Sequence, residues 1–453
     1  MRGFLFSTKQ KILLALVGAF LFRLGFGLAM PLWPPDKIQS NLMVATPDEF
    51  QTYLIGLKCY TTGTWPYYGP DLNGTETSYT SQIPGALEGL LIAIPLYILP
   101  IPESPYILLN LLSLFAIALF TWYCSKKIPN LSSWFIFASL VVLPWNLHES
   151  TSIINPSWCL FGSVIFFIGF LETIPGFGME LFSPALRNAL MGFGLFWVMQ
   201  FHVSWIYLAV FFALSLFLQW KHQPRSTGSA LLFFILGSLP SFAFMIPTLI
   251  KYGIPQGHNG HGFTSSFNFH NFTQAFTILA RYLSLACYEV PRYVGLSTKI
   301  RWDFLSGSIF TLIPGAFLWV LGLIQAVALL VFWFFKDHKL KDWPILRRLV
   351  LFNFLMIWIS FWFTIKLPFA HIYYVCFPLV FLYSLYGWSR LADASGWRTF
   401  AKFYLAAAFI FQITYAIRAY PQFSLYRDRA LVAQAIHEKN YHLMGERREN
   451  SYY

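Results

Sequence analysis

Residues 83–100 read IPGALEGLLIAIPLYILP and residues 105–124 read PYILLNLLSLFAIALFTWYC, with Lys126 and Lys127 close behind. The second run is long and apolar enough to cross roughly 30 Å of hydrocarbon as a helix. The first is apolar too, but Pro84, Gly85, Glu88 and Pro95 make it a poor span. Counting it as one would also carry Lys126 and Lys127 to the outer side, against the tendency of cations to stay cytoplasmic. We therefore read residues 83–100 as a re-entrant or interfacial helix dipping into the outer leaflet, and 105–124 as a span.

The rest of the chain follows from that choice. It has 453 residues, 57% hydrophobic and 11% charged, with mean hydropathy +0.56, which excludes an ordinary soluble protein. Spans are expected at about 11–30, 105–124, 131–148, 156–172, 186–201, 203–220, 229–250, 307–335, 347–366, 370–388 and 400–418. The runs are too long and continuous for barrel strands, so the fold class is an all-α polytopic membrane protein of about eleven transmembrane helices. Arg2, Lys9 and Lys11 precede the first span, which sets the N-terminus in the cytoplasm and the C-terminus outside. The first run contains Arg23 and lacks a small-residue cleavage site, so it reads as a retained span.

Inner loops then carry Lys126 and Lys127, Lys221 and Arg225, Lys336 to Arg348, and Arg390 to Lys402. One inner loop, 173–185, has only Glu180 and breaks the pattern. Residues 1–418 form one transmembrane domain with outer loops at 31–104, 149–155 and 251–306. Residues 419–453 form a short extracytoplasmic tail with one amphipathic helix around Leu431, Val432 and Ile436. The net charge of +12 sits in loops between spans, so the expected partners are membrane lipids and not nucleic acid. The five cysteines include no CxxC pair and read as buried small apolar residues; Cys59 and Cys287 alone share the outer side, where one disulfide is open to them.

Within the first outer loop, residues 46–66 read TPDEFQTYLIGLKCYTTGTWP. Thr46 suits an N-cap, Pro47 the first helical position, and Glu49 the acid of a capping box. Phe50, Tyr53, Leu54 and Leu57 form one apolar stripe, while Asp48, Glu49, Gln51 and Thr52 lie off it, so the helix is expected to rest on the membrane surface. Two acids in a first turn favour the helix dipole in any case. The alternative reading is a general base at Asp48, held at the bilayer surface where partial desolvation would raise its pKa toward working pH.

Other polar residues cluster on the same outer side. His148, Glu149 and Asn155 lie in NLHESTSIINPSW, either as interfacial groups ending two spans or as part of a pocket facing Asp48. Gln200 and His202 interrupt FWVMQFHVSW at a tight turn, a depth at which polar residues commonly face a cavity. Lys366, His371, Tyr373 and Tyr374 lie in KLPFAHIYYVCFPL, and Arg281, Arg292, Lys299 and Arg301 in the long loop. Cations outside the membrane need an anion to hold them, and a lipid phosphate is the obvious one, although snorkelling to ordinary headgroups also accounts for them. The histidines of GHNGHGF match no metal-site spacing, so no metal site is expected and the stretch reads as a flexible lid.

This arrangement resembles the GT-C membrane glycosyltransferases, a group that includes protein O-mannosyltransferases and aminoarabinose lipid A transferases. The likeness rests on one span with an arginine, an outer loop opening an Asp-Glu helix, a dipping Pro-containing helix and a late Lys/His-Tyr-Pro span. The resemblance implies an inverting transfer of a sugar from a polyprenyl-phosphate donor to a lipid, glycan or protein acceptor on the extracytoplasmic side. By position, Asp48 matches the catalytic aspartate and Glu49 its neighbour. Gln82, Ile83 and Pro84 stand where the family often has a His/Pro-Pro turn. His371 and Tyr373 resemble the motif near the lipid phosphate. Where many members carry a second aspartate, this chain has Asn155 with Glu149 upstream. No cofactor is obligatory on this reading, a divalent cation is compatible with it, and a bacterial inner membrane is favoured over the ER. A transporter or lipid flippase would instead spread polar groups through the midplane of several spans, and a polysaccharide polymerase or ligase would differ in its late outer loop.

Overall fold

The computed structural model describes residues 7–29, 48–71, 82–253, 267–295, 297–334, 342–364, 367–423 and 429–444. Among the described residues the regular structure is helical apart from one small ribbon. In order it runs α1 (Thr8–Ala29), α2 (Asp48–Thr62), β1 (Tyr68–Asp71), β2 (Gln82–Pro84), α3 (Leu87–Ile98), α4 (Ser104–Lys127), α5 (Ser133–Val142), α6 (Pro144–Glu149) and α7 (Cys159–Thr173). Then come α8 (Pro184–Met199), α9 (Trp205–His222), α10 (Thr227–Phe242), α11 (Ile246–Tyr252), α12 (Phe269–Thr273), α13 (Ala275–Leu283), α14 (Val290–Tyr293) and α15 (Thr298–Ser306). The last are α16 (Ile309–Phe334), α17 (Trp343–Ser360), α18 (Phe377–Ser389), α19 (Trp397–Phe423) and α20 (Arg429–His437).

Among the described residues, 8 helices are long and apolar enough to cross a membrane: α1, α4, α7 with the turn before it, α10 extended through α11, α16, α17, α18 with the turn before it, and α19. The other three expected spans fall on α5, α8 and α9, of 10, 16 and 18 residues. The dipping segment is α3, only 12 residues long with Pro95 inside it, too short to span.

The expected inner loops meet one another. Lys127 forms an ion pair with Asp342 at 2.6 Å, Asn130 donates to the Ser389 carbonyl at 2.9 Å, and Arg390 lies over the Trp343 ring. The expected outer segments meet at the other end, where Glu49 of α2 reaches Ile153 and Arg281 reaches Pro368. The tail returns to this outer end: Arg429 pairs with Glu103, and Lys439 lies over Tyr60 of α2.

The most buried spans are α7 and α18, each 89% buried over its apolar window, against 28% for α1 and 22% for α16. Helices that are apolar all round suit both settings, so position follows from packing. At one crossing the packing is backbone on backbone. A Cβ on Gly192 of α8 would stand 2.0 Å from the Phe234 carbonyl oxygen of α10, and one on Gly194 2.4 Å from the Gly162 carbonyl oxygen of α7. Small residues that let helices approach this closely are a main source of association where lipid is as apolar as the helix surface.

One expectation is corrected. Helix α2 does not rest on a surface with its polar side outward: Glu49, Gln51, Thr52, Tyr53, Leu54, Ile55 and Leu57 are all buried. Its polar side is turned onto α4, where Tyr106 donates to Glu49, and onto the 150–155 segment. The expected cap, Thr46 and Pro47, lies outside the described residues. Cys59 and Cys287 form no disulfide, and all five cysteines are buried free thiols.

Candidate functional site

At the end where the expected outer segments meet, two arginines converge on Glu289, a residue the sequence did not single out. Its Oε1 accepts from Arg281 Nε at 2.5 Å and its Oε2 from Arg292 Nη1 at 2.8 Å. Arg281 also donates to the Pro368 carbonyl at 2.6 Å, and the Arg292 guanidinium lies 3.9 Å over the Phe369 ring. Local backbone makes this possible. Leu285 and Ala286 adopt φ of 51° and 58°, two consecutive left-handed residues that end α13 and fold Glu289 back beneath Arg281. Neither is glycine, so the turn carries strain that the surrounding contacts must hold. Two guanidiniums share one carboxylate, which leaves a positive excess facing the 368–373 segment.

The 146–155 segment is pinned from three sides. Arg23 of α1 donates to the Ser150 hydroxyl at 2.6 Å and its carbonyl at 3.1 Å; Glu49 of α2 accepts from the Ile153 amide at 3.4 Å; Tyr374 donates to Asn146 Oδ1 at 2.5 Å. His148 stacks on Tyr293 at 3.9 Å and shares a hydrogen bond of 3.2 Å with Gln412 of α19. Asn155 opens a 3-10 turn, Asn155–Trp158, and is buried. The segment therefore touches α1, α2, α14 and the late 370–376 turn at once.

Glu149 of this segment and Glu49 of α2 are held in unusual states. Burial pushes the Glu149 carboxyl up to about 8, with Arg292 pulling it down and Glu289 pushing it further up. Burial likewise pushes Glu49 up to about 7, against the hydrogen bonds from Tyr106 and the Ile153 amide. Glu149 is thus a proton-carrying group near neutrality, beside the Arg–Glu–Arg cluster.

Tyr373 sits at a break in the 3-10 stretch Ala370–Cys376, with φ −114° and ψ 20°. Its ring meets Trp145 edge-on at 5.7 Å, and its buried hydroxyl has no hydrogen-bond partner among the described residues. His371 lies two residues earlier with its ring 5.9 Å from that of Phe369. Asp48 begins α2, one residue from Glu49, but its side chain, Lys366 and the GHNGHGF stretch lie outside the described residues. Among the described residues, no group of three or more His, Cys, Asp or Glu could hold a metal ion.

The structure thus brings together Glu49, Glu149, His148, Asn155, Arg281, Arg292, His371 and Tyr373. Gln200 and His202 make other contacts. Gln200 donates to the Ser241 carbonyl at 2.7 Å and its side chain abuts Gly85 at the β2–α3 turn, while His202 bonds Ser204 at 2.7 Å. Sequence reasoning missed Glu289, Tyr293 and Tyr106. An acid standing between Arg281 and Arg292 in an outer loop was the available signal for Glu289.

No known protein family matches the sequence, and no curated protein matches it. Among solved structures, the chain is similar to ArnT from Cupriavidus metallidurans bound to undecaprenyl phosphate, at 11% identity and a TM-score of 0.44 over 92% of this chain and 78% of that one. It is also similar to the apo state of that protein, at 10% identity and a TM-score of 0.41 over 96% of this chain and 78% of that one.

Proposed function

We propose that the chain is an inverting glycosyltransferase of the membrane, moving a sugar from a polyprenyl-phosphate donor to an acceptor on the extracytoplasmic side. The observation that carries this reading is the convergence at one end of the bundle. Segments chosen for separate reasons, the Asp48–Glu49 helix start, the 148–155 segment, the arginine loop and the 368–373 turn, meet there around a cationic cluster and a buried tyrosine hydroxyl with no partner among the described residues.

In the proposed step the acceptor hydroxyl or amine attacks the anomeric carbon as the bond to the donor phosphate breaks. Asp48 takes the attacking proton. The bonding pair leaves with the lipid phosphate, whose charge is met by Lys366, His371, Arg281 and Arg292, with Tyr373 donating a hydrogen bond. Charge held in this way makes the phosphate a good leaving group without a general acid. Glu49, already engaged by Tyr106 and Ile153, orients the start of α2. Glu149, neutral at pH 7 and next to the arginines, spares the phosphate a repelling charge.

The test is transfer from a radiolabelled polyprenyl-phosphate sugar by purified protein. Asp48→Asn should abolish transfer while leaving expression and thermal stability intact. A fully active Asp48→Asn variant sinks the assignment of the base.

A further inference from the structure

A cavity lies at the opposite end of the bundle, where α7, α8, α9 and α10 end or begin. Its volume is 460 Å³, within the roughly 300–1,000 Å³ of ordinary ligand sites. Helix α7 separates it from Asn155 and the outer cluster by its own length, 19 residues with the turn before it or on the order of 28 Å.

The cavity carries both signs of charge, and each is built in. The acid is Glu180. Glu172, 1% exposed at the end of α7, accepts from the amides of Met179 at 3.1 Å and Leu181 at 2.9 Å, on either side of Glu180, and from Tyr123 Oη at 3.1 Å. This grip holds Glu180 in the left-handed region, φ 56°, and presents its exposed carboxylate at the cavity rim. A strained non-glycine residue fixed by a buried carboxylate is an over-determined arrangement. The base is Arg187, in the first turns of α8. Its Nη1 donates to the Glu172 carbonyl at 2.5 Å, and its buried Nε has no partner among the described residues.

Two further features set the ligand class. The first turns of α8 and α10, both 16-residue helices, line the cavity through Pro184, Ala185 and Ser229, and α10 has no side-chain cap. Helix starts of this length favour an anion. Leu218, Ala230 and Phe233 also line the cavity, an apolar floor next to the exposed apolar residues Phe217, Leu231 and Leu232. A free ion has no use for such a floor, whereas the glycerol end of a lipid does.

We infer that this cavity binds the headgroup of a lipid from the facing leaflet, an amine-bearing phosphodiester. The phosphate meets Arg187 and the two helix starts, and the ammonium meets Glu180. The site is independent of the transfer reaction proposed above.

The test uses the full-length protein in detergent and native mass spectrometry with phosphatidylethanolamine, phosphatidylglycerol and phosphatidylcholine, together with inorganic phosphate. Phosphatidylethanolamine should bind best. Arg187→Gln should weaken it roughly tenfold or more, Arg187→Lys should restore part of the loss, and Glu180→Gln should bring phosphatidylethanolamine down to the phosphatidylglycerol level. Ser229→Phe, which fills the cavity from α10 and leaves Arg187 in place, should displace all three lipids and covers the case in which Arg187→Gln does not fold. Equal binding of all three lipids, unchanged in Arg187→Gln or Ser229→Phe, overturns the inference. Displacement of phosphatidylethanolamine by millimolar inorganic phosphate overturns the lipid assignment in favour of a soluble phosphate.

Discussion

Glu289→Gln removes one charge and leaves two guanidiniums to find other partners. The side chains of Glu289 and Arg281 are 5% and 10% exposed, so neither cation nor anion is well hydrated in place, while Arg292 at 27% keeps partial access to water and the Phe369 ring. Breaking a buried pair from one side costs on the order of 3–5 kcal/mol, because the remaining charge stays buried without compensation. Most of that falls on Arg281, whose other acceptor among the described residues is the Pro368 carbonyl. The assay is equilibrium unfolding of the purified protein in mixed micelles, with Glu438→Gln, an exposed residue just past the end of α20, as the control. The double variant Arg281→Gln, Glu289→Gln replaces the buried pair by two neutral amides and should recover more than half of the loss. A single Glu289→Gln within about 1 kcal/mol of the parent would refute the view that Glu289 holds this corner together, as would a double variant less stable than the single one.

Stability should also depend on pH with a definite sign. Glu149 and Glu49 are raised from an ordinary 4.5 to about 8 and about 7, so between those values the folded chain keeps protons that the unfolded chain has released. Their contribution is complete below pH 4.5 and is lost as pH rises toward 8, by about 1.4 kcal/mol per unit for each group while it lags; Glu149→Gln should flatten the thermal-midpoint profile across pH 5–8, and an unchanged profile would count against burial of that carboxyl. Gly192→Val should force α8 and α10 apart, since even a Cβ meets the Phe234 carbonyl at 2.0 Å, and should lower the thermal midpoint far more than Gly18→Val in α1, where nothing lies within 4 Å.

Eight of the expected spans were legible because a membrane demands long apolar runs, and the distribution of cations between runs grouped the loops that meet at each end. The side of α2 that faces the protein was not. Polar residues such as Glu49 and Thr52 signal solvent in a soluble helix, but next to lipid a polar side can equally turn inward to Tyr106 and the Ile153 amide. Glu289 was hidden because its pairing with Arg281 depends on left-handed Leu285 and Ala286, which have no sequence signature. The cation-poor inner loop finds its explanation in neighbours: Lys127 donates to the Phe177 carbonyl and Arg187 to that of Glu172, so positive charge reaches 173–185 from adjoining helices. The ribbon of β1 and β2, four and three residues long, is too short to register as a pattern.

Arg23 sets a timetable for biogenesis. It is fully buried in α1, and its hydrogen-bond partner among the described residues is Ser150, 127 residues later. At roughly 5–20 residues per second, translation leaves the guanidinium without that partner for on the order of 6–25 s. An arginine near a helix centre disfavours membrane entry by about 2.5–3.5 kcal/mol. The nascent α1 must therefore wait at the translocon, snorkel toward a headgroup layer, or be shielded by another protein until the Ser150 turn arrives to receive it.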